Sequence, residues 1–308
     1  MWFIFALITM IVWGIGDVFY KLGAEVQEKY SHLKTGMMVG LVMGLHAIFM
    51  LLTTDMNYDP VNLLIYLPVS FFYILSMVIG YYGLRYLQVS ITSPIENSSG
   101  AITALLCLVF LHKSLDWLSG SGIVLICAGI FALSMIEKRK ETQNITKEDK
   151  KYRTGFVAII FPILYCIFDA IGTFLDAYYL DDVEKTPLVN VTEETFENVA
   201  NTSYELTFLI AAILIIIYLL RKGESIRPAD ERKRGLAAVA ETFGQFTYVY
   251  AMSGNGVVAA PMVSAYCIVT LIISRIFLKE KLSKPQSIAI AIVVLGIIFM
   301  GISEGLEG

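Results

Sequence analysis

Ten apolar stretches of about twenty residues recur along this chain, at 2–21, 35–54, 63–84, 88–111, 117–136, 155–176, 204–221, 235–254, 257–278 and 285–303. A helix of that length crosses the hydrocarbon core of a bilayer, about 30 Å thick, where no water is present to satisfy stray backbone groups. The stretches are too long for barrel strands and lack a period of two, so the chain reads as an all-α integral membrane protein with ten transmembrane helices. Composition agrees: 56% of the 308 residues are hydrophobic and 16% are charged, against about 25% charged in soluble domains. No basic leader precedes the first stretch and no small-residue cleavage site follows it, so it reads as a retained helix. Cys107, Cys127, Cys166 and Cys267 fall singly inside the stretches, without metal-ligand spacing, and read as reduced packing residues.

The chain repeats itself. Setting position n against n+167 pairs Pro94 with Pro261, Phe110 with Phe277, Leu115 with Leu282 and Gly129 with Gly296, and eight of the 43 pairs from 94/261 to 136/303 are identical. Each copy has the same order: a polar span containing proline, a short charged turn, then an apolar span with glycine. The organisation that follows is a five-helix unit over 1–136, a charged linker over 137–154, and a second five-helix unit over 155–308 that carries an insertion at 177–203.

Charge sets the orientation. Lys and Arg concentrate after the odd-numbered spans, including seven from Lys138 to Arg153 and six from Arg221 to Arg234, while only Lys113 and Lys185 follow even-numbered ones. The positive-inside rule then places both termini outside a cell membrane and the linker in the cytoplasm. An odd number of spans per unit means that the second unit enters the membrane inverted. Inverted repeats suit secondary transporters, where two halves rock about a site near the midplane. Receptors and channels rarely need them.

Within the spans, Asp17, Glu96, Asp169 and Glu241 are the informative residues, because a charge near the bilayer centre is costly and usually faces a wet cavity. At an offset of 152 the first and sixth spans pair Trp13 with Tyr165 and Asp17 with Asp169, so each places an aromatic ring one turn before a carboxylate. Ring and carboxylate together attract an organic cation; helix-packing hydrogen bonds are the alternative role for these acids. Glu96 and Asn97 follow Pro94, which starts or kinks the fourth span and can free a carbonyl toward a cavity. Glu241, Gln245 and Tyr248 share one face of the eighth span, although Glu241 lies close enough to its start to reach the headgroup region. Tyr81 and Tyr82, with Tyr266, are cavity linings or members of an interfacial belt. Gly36, Gly40 and Gly44 make an edge for close helix approach, and His46 beside them reads as a satisfied polar core residue.

Trp13-Gly14, the tyrosine-rich end of the third span, the Ser93-Pro94 turn, the Phe110-Leu111 step and the run from Phe277 to Leu282 resemble the EamA repeat of the drug/metabolite transporter superfamily. The first half departs from that pattern at Lys113-Ser114, where the family's turn usually has Gly-Glu, and the 177–203 insertion is longer than usual. The resemblance implies ten helices, a central cavity lined by spans 1, 3, 4, 6, 8 and 9, and peripheral fifth and tenth helices. It is nearly silent on cargo.

The function expected is secondary active transport, by alternating access, of a small organic solute that is cationic or zwitterionic. The substrate-binding candidates are Trp13, Asp17, Tyr81, Glu96, Asn97, Tyr165, Asp169, Glu241, Gln245 and Tyr266. A neutral cargo such as a sugar, or a drug or metabolite exporter, is the alternative, with the acids serving proton coupling or packing. No GxxxxGK[ST] motif is present, so no cofactor is expected and energy would come from a proton or sodium gradient. An enzyme would need clustered catalytic groups, whereas His32, His46 and His112 are dispersed. The expected partners are the small-molecule cargo and the lipid bilayer, not nucleic acid, with the chain a monomer or homodimer.

Overall fold

The computed structural model describes residues 1–24, 28–83, 96–144, 156–227, 230–277 and 282–307; Arg85, Ser93-Pro94, the 145–155 part of the linker and all of 278–281 in the second charged turn lie outside them. The described residues form helices α1 Trp2–Gly23, α2 Ser31–Thr53, α3 Val61–Ile65, α4 Leu67–Gly83, α5 Ser99–Phe110, α6 Trp117–Asn144, α7 Phe156–Tyr179, α8 Phe196–Arg221, α9 Arg232–Ser264, α10 Tyr266–Phe277 and α11 Lys284–Glu307. None of them is in a strand.

Length and apolarity alone qualify seven segments to cross a membrane, because α4 and α5 are short and 232–276 counts as one 45-residue run. That run is not straight. Asn255 leaves helical geometry (φ −163°, ψ 76°) inside α9, and the backbone breaks again at Ala265. The first break falls at the expected division between the eighth and ninth spans, and the second lies inside the stretch expected as the ninth.

Two boundaries differ from expectation for a physical reason. Helix α8 starts at Phe196, inside the stretch read as insertion, since Asn201, Thr202 and Ser203 are buried against the bundle and lower the hydropathy without exposing the helix. Helix α6 runs on to Asn144, into the stretch read as linker.

Packing is pairwise: α1 lies on α9, α4 on α7, α2 on α8 and α6 on α11, while α5 meets α7 and α9 and α1 also meets α10. The glycine edge of α2 is used within the molecule. A Cβ on Gly40 would press into the Phe208 carbonyl oxygen, and one on Gly44 would lie 2.5 Å from a Leu209 side-chain carbon. Backbone cannot yield as a side chain tip does, so Gly40→Ala is expected to cost about 1–3 kcal/mol. A fall in the melting temperature of detergent-purified protein checks this, and an unchanged value refutes it.

Helices α6 and α11 are tied at one end by Asp116. Its carboxylate accepts from the Leu118 and Ser119 amides (2.7 and 3.1 Å) and from the Ser303 hydroxyl (2.7 Å). Its slight burial would raise the carboxyl, but the Ser119 and Ser303 bonds win and bring it down to about 2. A depressed carboxyl contributes stability above its unfolded value, near 3.9, and that stability is lost as pH falls toward about 2. Asp116→Ala, which removes a helix N-cap, is expected to cost about 1 kcal/mol at neutral pH. The gap between variant and wild type should close on acidification; a gap that persists at the acid end would refute the assignment.

The two ends of the bundle are clasped differently. At one end Glu28 accepts from Lys34 and from Arg234, each at 2.5 Å, Arg234 also holds Glu231 at 2.6 Å, and Lys34 lies 3.8 Å from Glu224. Burial would raise the Glu28 carboxyl, but these two cations together outweigh it and hold the group below its ordinary range. At the other end the Asn62 side-chain amide exchanges two 2.9 Å bonds with the Val189 backbone. Asn190 donates to Asp59 at 2.9 Å, Tyr58 meets Ser203 at 2.9 Å, and Lys113 pairs with Asp181. The 177–203 stretch is therefore strapped over the loop between α2 and α3.

Candidate functional site

A cavity of about 120 Å³ opens between α1, α4, the turn before α5, α7, α9 and α10. Trp13 and Asp17 reach it from α1 and Tyr81 from α4. Glu96 and Asn97 come from the turn, Tyr165 and Asp169 from α7, Glu241 and Gln245 from α9, and Tyr266 from α10. All ten residues singled out from the sequence thus line one space.

Glycines bring the walls together. Gly244 leaves the room that the Trp13 indole occupies, and a Cβ on Gly80 would lie 2.6 Å from the Tyr165 ring and 3.6 Å from Glu96 Oε1. Trp13 is fixed by its Nε1–H, which donates to the Glu241 carbonyl at 3.3 Å, and by tilted contact with the Tyr248 ring at 5.0 Å. Tyr266 meets the same indole edge-on at 6.3 Å. Faces and edges of three rings therefore wall one side of the cavity.

The carboxylates are held individually. Tyr20 donates to Glu241 Oε2 at 3.3 Å, and its ring lies 5.1 Å from that of Tyr81. Ser99 donates to Asp169. Asp17 lies 4.0 Å from Lys21, one turn on, so one of the four acids has a loose basic neighbour that the sequence reading overlooked. Glu96 feels the charges of Asp17 and Asp169, and Glu241 those of Asp169 and Asp17. Four acids in mutual electrostatic contact hold a cation, share protons, or do both in turn.

Three readings need correction or completion. Glu241 does not lie at a helix end: α9 begins at Arg232, which carries Glu241 about 13 Å along the axis and into the cavity wall. Tyr82 turns away from the cavity, packing edge-on against His32 and Phe161. His46 is paired, with Nδ1 2.8 Å from both oxygens of the fully buried Glu205.

The sequence reading missed Tyr20, Tyr73, Met77, Thr173 and Tyr204 among the lining residues. The spacing of Thr173 from Asp169 and of Tyr73 from Tyr81 was a usable signal; Tyr204 gave none, since its helix was not expected at the cavity. Above the carboxylates, Tyr73 donates to Thr173 at 2.9 Å and meets the Tyr248 hydroxyl at 3.1 Å. Among the described residues no three His, Cys, Asp or Glu side chains are arranged to hold a metal ion, and the four cysteines form no disulfide.

Comparison with known proteins agrees with this architecture. A protein of known crystal structure superposes with a TM-score of 0.68 over 99% of this chain and 98% of its own, at 12% identity, a likeness of fold alone. An uncharacterized protein of Methanocaldococcus jannaschii is 30% identical over 151 residues, which are 98% of that protein and 48% of this chain. The profile of the EamA-like transporter family matches residues 1–135 and 196–302. With its several membrane-length helices, the chain is a multi-pass membrane protein that belongs to the EamA-like transporter family.

Proposed function

We propose that this protein is a secondary active transporter of a small organic cation or zwitterion, carried in the cavity between two inverted five-helix repeats that rock to give alternating access. The observation that carries the reading is the meeting of Trp13, Tyr165, Tyr266 and four carboxylates around one space of about 120 Å³. Cavities of roughly 150 Å³ accept a benzene-sized molecule, so a cargo of no more than about six heavy atoms fits this conformation, far smaller than a sugar nucleotide.

The packing supports two related halves. With 232–276 divided at Asn255, the α1 contact with the first part of α9 mirrors the α4–α7 contact. The α1–α10 contact mirrors α5–α7, while α2–α8 and α6–α11 each mirror themselves. A rotation that exchanges the halves predicts this list. A relative that aligns over 98% of its own length to only 48% of the chain also fits a fold assembled from two units. Trp13–Asp17 and Tyr165–Asp169, the pairs matched by the 152-residue offset, reach the cavity from opposite halves. Both termini and the strapped 177–203 stretch would face outward.

One observation favours a neutral cargo instead. Lys21 beside Asp17 lowers the net negative charge of the cavity, which leaves fewer acids to attract a cation. The deciding experiment is a thermal-shift screen of detergent-purified protein against amines, amino acids, sugars and organic anions, run with Asp17→Asn and Asp169→Asn. Stabilisation by amines or amino acids that is lost in the variants supports the proposal. Stabilisation by a sugar, unchanged in both variants, overturns it.

A further inference from the structure

Beyond the four cavity acids and the His46-paired Glu205, a further acid lies buried in the bundle outside the cavity lining. Asp176 is fully buried two turns beyond Asp169 on α7, close to the end held by the 177–203 strap. Its Oδ1 accepts from the Tyr66 hydroxyl, and its Oδ2, among the described residues, has no hydrogen-bond partner at all. No described Lys, Arg or His forms an ion pair with it.

The ionisable groups around it are neutral phenols or already engaged. Tyr66 and Tyr73 come from the α3–α4 side, Tyr204 from α8 and Tyr248 from α9, all within electrostatic reach of Asp176. Past the end of α5 lies Lys113, whose ammonium is taken by Asp181. An ionised carboxylate with one naked oxygen and no basic neighbour would cost several kcal/mol in such a place. A neutral carboxylic acid would cost much less, since an unpartnered hydroxyl is far cheaper to bury than an unpaired charge.

The surroundings also join this acid to the cavity. Asp169, Thr173 and Asp176 occupy one face of α7 at i, i+4 and i+7, and Tyr66 and Tyr73 stand seven apart opposite them. The hydroxyls of Thr173, Tyr73 and Tyr248, at 2.9 and 3.1 Å, fill the space between the two acids. The Tyr66–Asp176 bond also crosses from the first half of the chain to the second. At the offset that relates Asp17 to Asp169, the counterpart of Asp176 is Ala24, so the arrangement exists at one end only.

We propose that Asp176 is a proton-binding site that couples closure of the strapped end to uptake of one proton. With the end open, the carboxylate takes a proton from hydronium in the entering water: one O–H bond of the hydronium breaks, one forms on the carboxyl, and a water molecule is left. Closure then buries the neutral acid under Tyr66, and reopening returns the proton to water. The coupling role rests on the transport reading above; the proton site does not.

The test is infrared difference spectroscopy of the full chain in detergent between about pH 5 and about pH 9, alongside thermal stability over the same range. Wild type should give the carbonyl band of a buried, un-ionised carboxylic acid, absent in Asp176→Asn and displaced in Tyr66→Phe, which removes the bond to Oδ1. An acid that is neutral in the fold and ionised in the unfolded chain loses stability as pH rises. Wild type should therefore decline toward the alkaline end relative to Asp176→Asn.

A band unaltered in Asp176→Asn, with superimposable stability profiles, overturns the proposal. Should Asp176→Asn not fold, the Tyr66→Phe displacement decides alone, and its absence overturns the proposal. Because the band needs no cargo, finding it in a protein that binds nothing in the ligand screen would remove the transport reading and leave the proton site standing.

Discussion

Asp169→Asn is expected to abolish most of the stabilisation that a small ammonium compound confers on the wild type. A ligand at a hundred times its Kd stabilises by about 2.7 kcal/mol. A charge-assisted hydrogen bond in a buried site contributes about 1.5–3 kcal/mol, or roughly ten- to hundred-fold in affinity. A hundred-fold loss at the same ligand concentration leaves about 0.4 kcal/mol of stabilisation, a shift in melting temperature close to the noise. Asp17→Asn should do less, because Lys21 at 4.0 Å already offsets part of its charge. The ordering is itself a test. Equal losses in the two variants would mean that Lys21 points its charge elsewhere, and a larger loss in Asp17→Asn would shift the cation to the α1 side of the cavity. Asn keeps the shape and the bond from Ser99 to position 169, so folding is expected to survive.

Arg234→Ala should produce the largest loss of stability. The guanidinium is 3% exposed and bonds Glu28, Glu231 and the Ser31 hydroxyl, the last at 3.0 Å. Removing it strands Glu231, itself 2% exposed, as a buried charge without a partner. Breaking a buried ion pair in this way costs about 3–5 kcal/mol, whereas replacing it with apolar groups of similar volume can be neutral. Arg234→Ala alone should therefore be severely destabilised, while Arg234→Met combined with Glu231→Leu should recover much of the loss. Melting temperatures of the three proteins decide it. A single variant as stable as wild type would mean that the cluster contributes little.

How far the site was legible in the sequence depended on the type of residue. Asp17, Glu96, Asp169 and Glu241 declared themselves because an acid inside an apolar span has few places to go except a cavity. Trp13, Tyr165 and Gln245 followed from helical spacing to those acids. Tyr82 failed for the same geometric reason that Tyr81 succeeded: one residue turns a helix by about 100°, which took the second ring to His32 and Phe161.

Tyr204 was out of reach. Its helix buries Asn201, Thr202 and Ser203 between the halves, and hydropathy reads such a face as loop. The long apolar run from α9 to α10 was divided near Asn255, where the backbone leaves helical geometry, because a polar, glycine-containing stretch interrupts it. The fit of Gly244 to Trp13 and of Gly80 to Tyr165 belongs to tertiary approach, which no local pattern encodes.

The unlike clasps at the two ends have a consequence for how the surroundings act on the molecule. One end is held by ion pairs whose cations are buried, Lys34 and Arg234 with side chains 8% and 4% exposed, and the other by amides, hydroxyls and the more open Lys113–Asp181 pair, its lysine 43% exposed. Dissolved ions screen the open pair and hardly touch the buried ones. If the halves rock, the ionic strength on each side of the membrane is then not a neutral background. A saltier medium at the strapped end loosens that end more than the same salt loosens the other, so the resting posture of the protein carries a reading of the electrolyte around it.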